Sequence, residues 1–166
     1  MNIVLIGYRG TGKSRVAQIL AQRLNWPLLS TDAEIVTLAG CSIPLIVEQQ
    51  GWDAFRDMES AICKRVGAFN QTIIDTGGGA ILRQENVAAL RQHGRVFWLT
   101  ATVPTIMARI QYSKNRPSLT QTKDPVAEVE DVLAVRLPLY QAACDQIIPT
   151  DNRSLKDIAD DIQGRL

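Results

Sequence analysis

The chain has 166 residues, and 46% of them are hydrophobic, which suits one domain (1–166) with a single continuous core. Its 18 basic and 17 acidic side chains nearly cancel, which argues against a protein that binds nucleic acid or an anionic membrane. The first apolar run is only about five residues long, too short for a signal peptide or a membrane span, so we expect a cytoplasmic monomer with small-molecule ligands.

Strands and helices alternate from the first residue onward. Asn2 to Ile6 is a continuous apolar run typical of a central strand, and apolar residues recur at helical spacing from Ser14 to Leu24. Pro27 to Leu29 predicts a brief second strand that ends at Ser30-Thr31-Asp32. A helical region follows and is expected to stop at Gly51, after which a longer helix begins.

Three further strands complete the pattern. Short apolar runs occur at Thr72 to Asp75, Arg95 to Thr100 and Gln146 to Ile148. Each run is separated from the next by a segment of helical period. Strands that alternate with helices indicate βαβ units. The sequence therefore predicts an α/β fold with a mainly parallel sheet.

The helix signals of the second half surround one polar segment. Residues from about 112 to 124 are basic, lack apolar periodicity and are broken by proline, which predicts a mobile and functional loop. Asp124-Pro125 is typical of a helix start, and Pro138 is expected to kink or end that helix. Ser154 and Asp157 form a possible capping box for the last helix.

The three cysteines are Cys41, Cys63 and Cys144. Their number is odd and their spacing is wide, without the pairs that predict a zinc site or a disulfide framework. We expect buried or half-buried free thiols.

The strongest motif lies between the first strand and the first helix. Gly7 to Ser14 reads GYRGTGKS and matches the phosphate-binding pattern G-x-x-x-x-G-K-[ST]. Its backbone, with Gly10, Thr11 and Gly12, is expected to bind the phosphates of ATP together with Lys13, and the hydroxyl of Ser14 is expected to bind Mg²⁺. The alternative is a glycine-rich turn with a surface lysine.

A phosphate loop indicates a nucleotide but does not distinguish a kinase from a GTPase or another ATPase. The chain has no N-K-x-D guanine signature and no room for a large motor domain, which favours a small-molecule kinase. Acceptor candidates are Asp32, Asp75 and Gly77-Gly78-Gly79, since ligands gather at the carboxyl ends of parallel strands. The glycine run alternatively is a flexible turn.

Several segments together resemble the shikimate kinase family over essentially the whole chain. They occur in that family's order: GYRGTGKS, Thr31-Asp32, Ala54-Phe55-Arg56, Gly77 to Ala80, Asn115-Arg116-Pro117 and Arg136 to Tyr140. The resemblance implies a three-layer P-loop fold whose five-stranded sheet has the order 2-3-1-4-5. It also implies an acceptor-binding helical region at about 33–62 and a lid at about 112–124 that closes over ATP.

The resemblance implies a role for each matched residue. Asp32 would bind the hydroxyls of shikimate and accept the proton of the attacking one, although a helix N-cap is the alternative role. Arg56 and Arg136 would hold the shikimate carboxylate, because planar guanidinium donors match carboxylate oxygens, although isolated arginines on helices are more often surface residues. The resemblance further implies that backbone N–H groups of Gly77, Gly78 and Gly79 bind the acceptor. It implies that Arg116 binds the β- and γ-phosphates and that Arg109 and Arg153 lie near the adenine.

The sequence departs from the family at the metal site. Shikimate kinases usually have an acid two residues before the substrate aspartate, where it holds Mg²⁺ through water, and this chain has Ser30 there. Asp75 instead follows the third apolar run, as the acid of a Walker B motif does. Our hypothesis is that Asp75 replaces the missing acid, since the third strand lies beside the first in the implied order.

Three functions are consistent with these patterns. The first is a shikimate kinase that uses ATP and Mg²⁺, and the second is a kinase of another small hydroxylated acid such as gluconate. A gluconate kinase would not be expected to have both the triple glycine and the segment from Arg136 to Tyr140. A non-catalytic ATP-binding protein agrees with Ser30 but leaves unexplained the intact Lys13, Ser14, Asp32 and Arg116.

Overall fold

The computed structural model describes residues 1–110 and 124–166. Five strands form one sheet in the order β2-β3-β1-β4-β5, and every neighbouring pair is parallel. The strands are β1 (Asn2–Ile6), β2 (Leu28–Ser30), β3 (Ile73–Asp75), β4 (Gly94–Thr100) and β5 (Gln146–Pro149). The predicted α/β class and the strand order implied by the resemblance are both confirmed.

Helices cover both faces of the sheet. Those in the described residues are α1 (Lys13–Leu24), α2 (Thr31–Ala39), α3 (Ile43–Gly67), α4 (Gln84–Gln92), α5 (Val103–Ile110), α6 (Pro125–Ala143) and α7 (Leu155–Gly164). Alternate residues of β1 point to opposite faces: Val4 and Ile6 belong to the core beneath α3, α4 and α6, while Ile3 and Leu5 belong to the core beneath α1 and α7. The fold therefore has three layers.

The central strand brings three chain segments to one edge of the sheet. β1 is wholly buried and pairs with β3 and β4, so that Leu5 lies opposite Asp75. On the other side of β3, Asp75 lies opposite Ser30, the last residue of β2. The carboxyl ends of β1, β2 and β3 thus lie side by side, which is where parallel sheets bind ligands.

The predicted helix ends are mostly confirmed. Asp124 caps α6 by accepting a hydrogen bond from the Val126 amide, and Ser154 and Asp157 form the predicted capping box of α7. The backbone of Gly51, with φ 84° and ψ 170°, interrupts α3 at the predicted stop. Such a positive φ favours glycine, and the helix resumes directly after it.

Two alternatives left open by the sequence are excluded, namely Asp32 as a helix N-cap and an end of α6 at Pro138. Asp32 is not the N-cap of α2, because Ser30 is, and its hydroxyl accepts a hydrogen bond of 3.3 Å from the Ala33 amide. Pro138 does not end α6, which continues to Ala143. Proline deprives the Ala134 carbonyl of its partner, but Ala134 is exposed, so water can take that place.

The cysteines are free thiols, as predicted. Cys63 is buried, and Cys41 and Cys144 are half-buried. Burial raises the pKa of the Cys63 thiol to about 12. No helix within residues 1–110 and 124–166 is long and apolar enough to cross a membrane. The predicted lid at about 112–124 lies outside the described residues, except for Asp124.

Candidate active site

The phosphate-binding motif forms the predicted turn between β1 and α1. Gly12 precedes α1 with a φ of 92°, which a residue with a side chain adopts only with strain. The Lys13 ammonium donates hydrogen bonds of 2.8 Å to the Gly7 carbonyl and 3.0 Å to the Tyr8 carbonyl, and the Thr11 hydroxyl donates to Tyr8 as well. These bonds curl the loop around the amino end of α1, which is suited to binding phosphate.

A cleft beside this loop contains the residues that could hold a metal. The exposed Ser14 hydroxyl donates a 2.6 Å hydrogen bond to the Asp75 carboxylate, which is only 7% exposed. Ser30, where the resemblance implies an acid, faces the same cleft but caps α2. Among the described residues no cluster of three or more acids, histidines or cysteines could hold a metal ion. A hydroxyl and one carboxylate fit Mg²⁺, which keeps several waters and binds through substrate phosphates.

An adjoining cavity brings the predicted acceptor residues together. The cavity is lined by the glycine run after β3 and by Asp32 from α2, Arg56 from α3 and Arg136 from α6. Its apolar wall consists of Trp52, Phe55 and Ile43. Residues more than a hundred positions apart in the chain therefore converge on one cavity, as the resemblance implies.

Arg56 is held in place from two sides. Its guanidinium lies over the rings of Trp52 and Phe55, at 5.4 Å and 5.1 Å from their centroids, and forms a 2.7 Å ion pair with Glu59. One face of α3 carries Trp52, Phe55, Arg56 and Glu59, because each of them lies three or four residues from at least one of the others. This geometry fixes the direction in which Arg56 presents its remaining donors.

Glu59 is a site residue that the sequence analysis missed. It lines the cavity, its side chain is 1% exposed, and its Oε2 atom has no hydrogen-bond partner among the described residues. Burial raises the pKa of Glu59, while the Arg56 guanidinium offsets part of that rise. The i, i+3 spacing from Arg56 was the signal that could have found it. The carboxylate can orient Arg56 and accept a hydrogen bond from a ligand hydroxyl.

The glycine run is an ordered floor of the cavity and not a flexible turn. The Gly77 amide donates a 2.9 Å hydrogen bond to the Thr31 hydroxyl, and the Gly78 carbonyl accepts a 2.6 Å hydrogen bond from Tyr140. None of the three glycines has a positive φ. Close approach restricts two of them: a Cβ on Gly79 would overlap the Arg56 guanidinium, and one on Gly77 would lie 2.6 Å from Asp32 Oδ1.

Arg136 is fixed through the helix that carries it. It is 7% exposed, and a Cβ on Gly78 would lie 3.5 Å from its Nη1 atom. Tyr140, one helical turn later, stacks on Trp98 of β4 with 5.6 Å between ring centroids. The segment from Arg136 to Tyr140 thereby ties α6 to the sheet and directs the arginine at the cavity floor.

The two predicted adenine-side arginines lie on the far side of the phosphate loop. Arg109 donates 3.1 Å hydrogen bonds to the Gly10 carbonyl and the Thr150 hydroxyl. Arg153 donates to the Pro149 carbonyl and forms a 3.1 Å ion pair with Asp161. Both line a cleft that also includes Gly10 and Gly12. Arg116 lies outside the described residues.

A nucleotide loop at the edge of a parallel sheet, with a separate arginine-lined cavity beside it, defines a P-loop kinase of a small anionic acceptor. A family model described as Shikimate kinase matches residues 9–166. The chain therefore belongs to the shikimate kinase family, and it is an ATP-dependent kinase.

Curated relatives agree with this family. A shikimate kinase of Pseudomonas fluorescens (strain Pf0-1) is 38% identical over 165 residues, which cover 99% of this chain and 95% of the relative. A shikimate kinase of Nitratidesulfovibrio vulgaris is 42% identical over 152 residues, which cover 90% of this chain and 86% of the relative.

Solved structures agree as well. The shikimate kinase from Acinetobacter baumannii in complex with shikimate superposes with a TM-score of 0.94 at 34% identity, covering 99% of this chain and 91% of that one. A gluconokinase from Sinorhizobium meliloti gives a TM-score of 0.55 at 14% identity, covering 96% of this chain and 87% of that one, which is similarity of fold alone.

Proposed function

We propose that the chain transfers the γ-phosphoryl group of ATP to the 3-hydroxyl of shikimate, a step toward chorismate and the aromatic amino acids. The observation that carries this proposal is the position of Asp32, which lines both the phosphate cleft and the arginine-lined cavity. The similarity to a shikimate kinase solved with shikimate bound supports the choice of acceptor.

The acceptor carboxylate would bind Arg56 and Arg136. Both guanidinium groups line the cavity, and planar donors in fixed positions suit a carboxylate better than a flexible ammonium does. The ring hydroxyls would lie over the glycine run, within reach of Asp32 and of backbone N–H groups of Gly77 to Gly79. The apolar wall formed by Trp52 and Phe55 would pack against the carbon ring of the acid.

The phosphoryl transfer would depend on positioning and charge. Lys13 and the amides at the start of α1 would bind the β- and γ-phosphates, and Asp32 would accept the proton of the attacking hydroxyl. Mg²⁺, when bound, neutralises charge on the phosphates, and Ser14 with Asp75 would hold it. Arg116 from the lid, and Arg109 and Arg153 on the adenine side, complete the proposed ATP site.

A coupled assay of ADP release tests the acceptor. We expect ADP release with shikimate and Mg²⁺ to exceed by about tenfold or more the release with gluconate or without an acceptor, because gluconate lacks the ring that the cavity wall would contact. Release with gluconate alone would favour the gluconate kinase alternative. Equal, slow release in every condition would favour a non-catalytic ATP-binding protein. Size-exclusion chromatography with light scattering checks the predicted monomer.

The Asp75→Asn variant tests the proposed metal site. We expect it to weaken binding of Mn²⁺, used as a spectroscopic probe in place of Mg²⁺, to the protein–ADP complex by about tenfold or more, because the neutral amide no longer attracts the cation. The bound fraction is measured from the electron paramagnetic resonance signal of free Mn²⁺, so the result does not depend on activity.

Measurements on two further variants show whether that result is specific to Asp75. Ser30→Asp combined with Asp75→Asn restores a carboxylate at the neighbouring register position, and we expect it to recover part of the lost affinity. Asp57→Asn removes an exposed carboxylate that pairs with Arg83 on the outer face of α3, and it serves as the unchanged control. Unaltered Mn²⁺ binding in Asp75→Asn would contradict the role of Asp75.

A further inference from the structure

Arg9, in the third position of the phosphate loop, has no part in the function proposed above. Its side chain is half-buried, and its Nε atom is buried without a hydrogen-bond partner among the described residues. The guanidinium lies 5.8 Å from the centroid of the Tyr8 ring, and Tyr8 is itself only 1% exposed. Buried polar atoms are normally paired, so a half-buried cation that is held against a fixed ring and forms no ion pair within residues 1–110 and 124–166 points to an anionic ligand.

The position of Arg9 indicates which anion. The acceptor cavity and the phosphate cleft share two of their described lining residues, Arg9 and Asp32. A phosphoryl group that moves from ATP to the acceptor must pass through the space between cleft and cavity. Asp32 supplies a carboxylate at that boundary, and Arg9 supplies the cation there.

The other two arginines that line the cavity already have a place in the proposed acceptor site. Arg56 is paired with Glu59, and Arg136 lies against Gly78 at the cavity floor, where the acceptor carboxylate would bind. A phosphoryl group on the acceptor adds about −1.5 to −2 charge near neutral pH and three acceptor oxygens. A guanidinium at the boundary complements that added charge with a fork of N–H donors.

We propose that Arg9 binds the transferred phosphoryl group, from the transition state through to the phosphorylated product. This inference rests on the proposed function. In the step concerned, the bond from the γ-phosphorus to the oxygen bridging it to ADP breaks, and its electron pair leaves with ADP. A bond from the acceptor hydroxyl oxygen to that phosphorus forms, and the hydroxyl proton passes to Asp32. Arg9 stabilises the charge on the peripheral phosphoryl oxygens and exchanges no proton.

The test compares two ligands in one variant. Isothermal titration calorimetry measures the affinity of wild type and Arg9→Met for shikimate and for shikimate 3-phosphate. We expect Arg9→Met to lower the affinity for the phosphorylated acid by about tenfold or more and that for shikimate by less than about threefold. Steady-state kinetics should show a lower kcat with a KM for shikimate close to that of wild type. Arg9→Lys, which keeps the charge, should recover part of both losses.

Arg95→Met is the matched control. Arg95 also lies over an aromatic ring, 6.0 Å from the centroid of Phe97, but at the amino-terminal edge of the sheet, so its replacement should affect neither ligand. Arg9→Gln repeats the comparison if the methionine variant does not fold.

Three results would overturn the proposal or its basis. Equal losses for both ligands would mean that Arg9 anchors the acid or shapes the cavity, and no loss for either would mean that Arg9 touches neither. Either result would contradict the proposed role of Arg9 and leave the proposed function intact. Wild-type protein that binds neither ligand would instead contradict the proposed function.

Discussion

Replacement of Asp32 by asparagine lowers kcat by about 10² to 10⁴, while both substrates still bind. The amide keeps the shape of the side chain beside Gly77, but it cannot accept the proton of the attacking hydroxyl. Steady-state kinetics with shikimate and Mg·ATP measure kcat, and calorimetry measures shikimate binding in the same variant. The loss should therefore appear in turnover far more than in affinity.

The control for this experiment is Glu34→Gln. Glu34 is the other acid in the first turn of α2, but it pairs with Arg65 and lines neither the cavity nor the cleft. Its replacement removes a negative charge from the same helix end without removing the proposed proton acceptor. Normal turnover in Asp32→Asn, or an equal loss in Glu34→Gln, would contradict the catalytic role of Asp32.

Replacement of Lys13 by alanine is expected to lower kcat/KM by about 10² to 10³, because it removes one preorganised cation from the proposed site of the β- and γ-phosphates. Thermal unfolding should also change. The Lys13 ammonium donates hydrogen bonds to the Gly7 and Tyr8 carbonyls, so its loss leaves two loop carbonyls without these donors, at a cost of about 1 to 3 kcal/mol.

Kinetics and unfolding separate these two effects. Lys13→Met keeps most of the aliphatic stem and removes only the ammonium, so its kinetic loss should match that of Lys13→Ala. Circular dichroism measured during heating reports the change in stability of each variant. If either variant retains wild-type kcat/KM while folded, Lys13 does not act on the phosphates.

The sequence predicted the fold well because its signals are local. The apolar run of β1, the phosphate-loop motif and the helical period after it lie within 24 residues, and the structure has each of them at the expected place. The order of the strands is not a local property and came from the resemblance to the family. The same resemblance led to Arg56 and Arg136, whose residue types alone are uninformative on a helix.

The parts that were missed depend on contacts between distant segments. Glu59 becomes a site residue only because α3 buries it against the cavity, and burial cannot be deduced from one glutamate. Tyr140 was noted as part of a motif, but its hydrogen bond to Gly78 joins residues 62 positions apart. Asp32 and Ser30 are both good N-cap residues, and the choice between them depended on where β2 ends.

The hydrogen bonds around the glycine run have a consequence for how this protein could change its preference among acceptors. Because the run is hydrogen-bonded to Thr31 on one side and to Tyr140 on the other, we expect the floor of the cavity to resist displacement. The wall formed by α3 is different, since the chain turns sharply at Gly51 just before Trp52. Evolution toward a larger or differently shaped acid is therefore expected to proceed through residues after Gly51, with the surface beneath left intact.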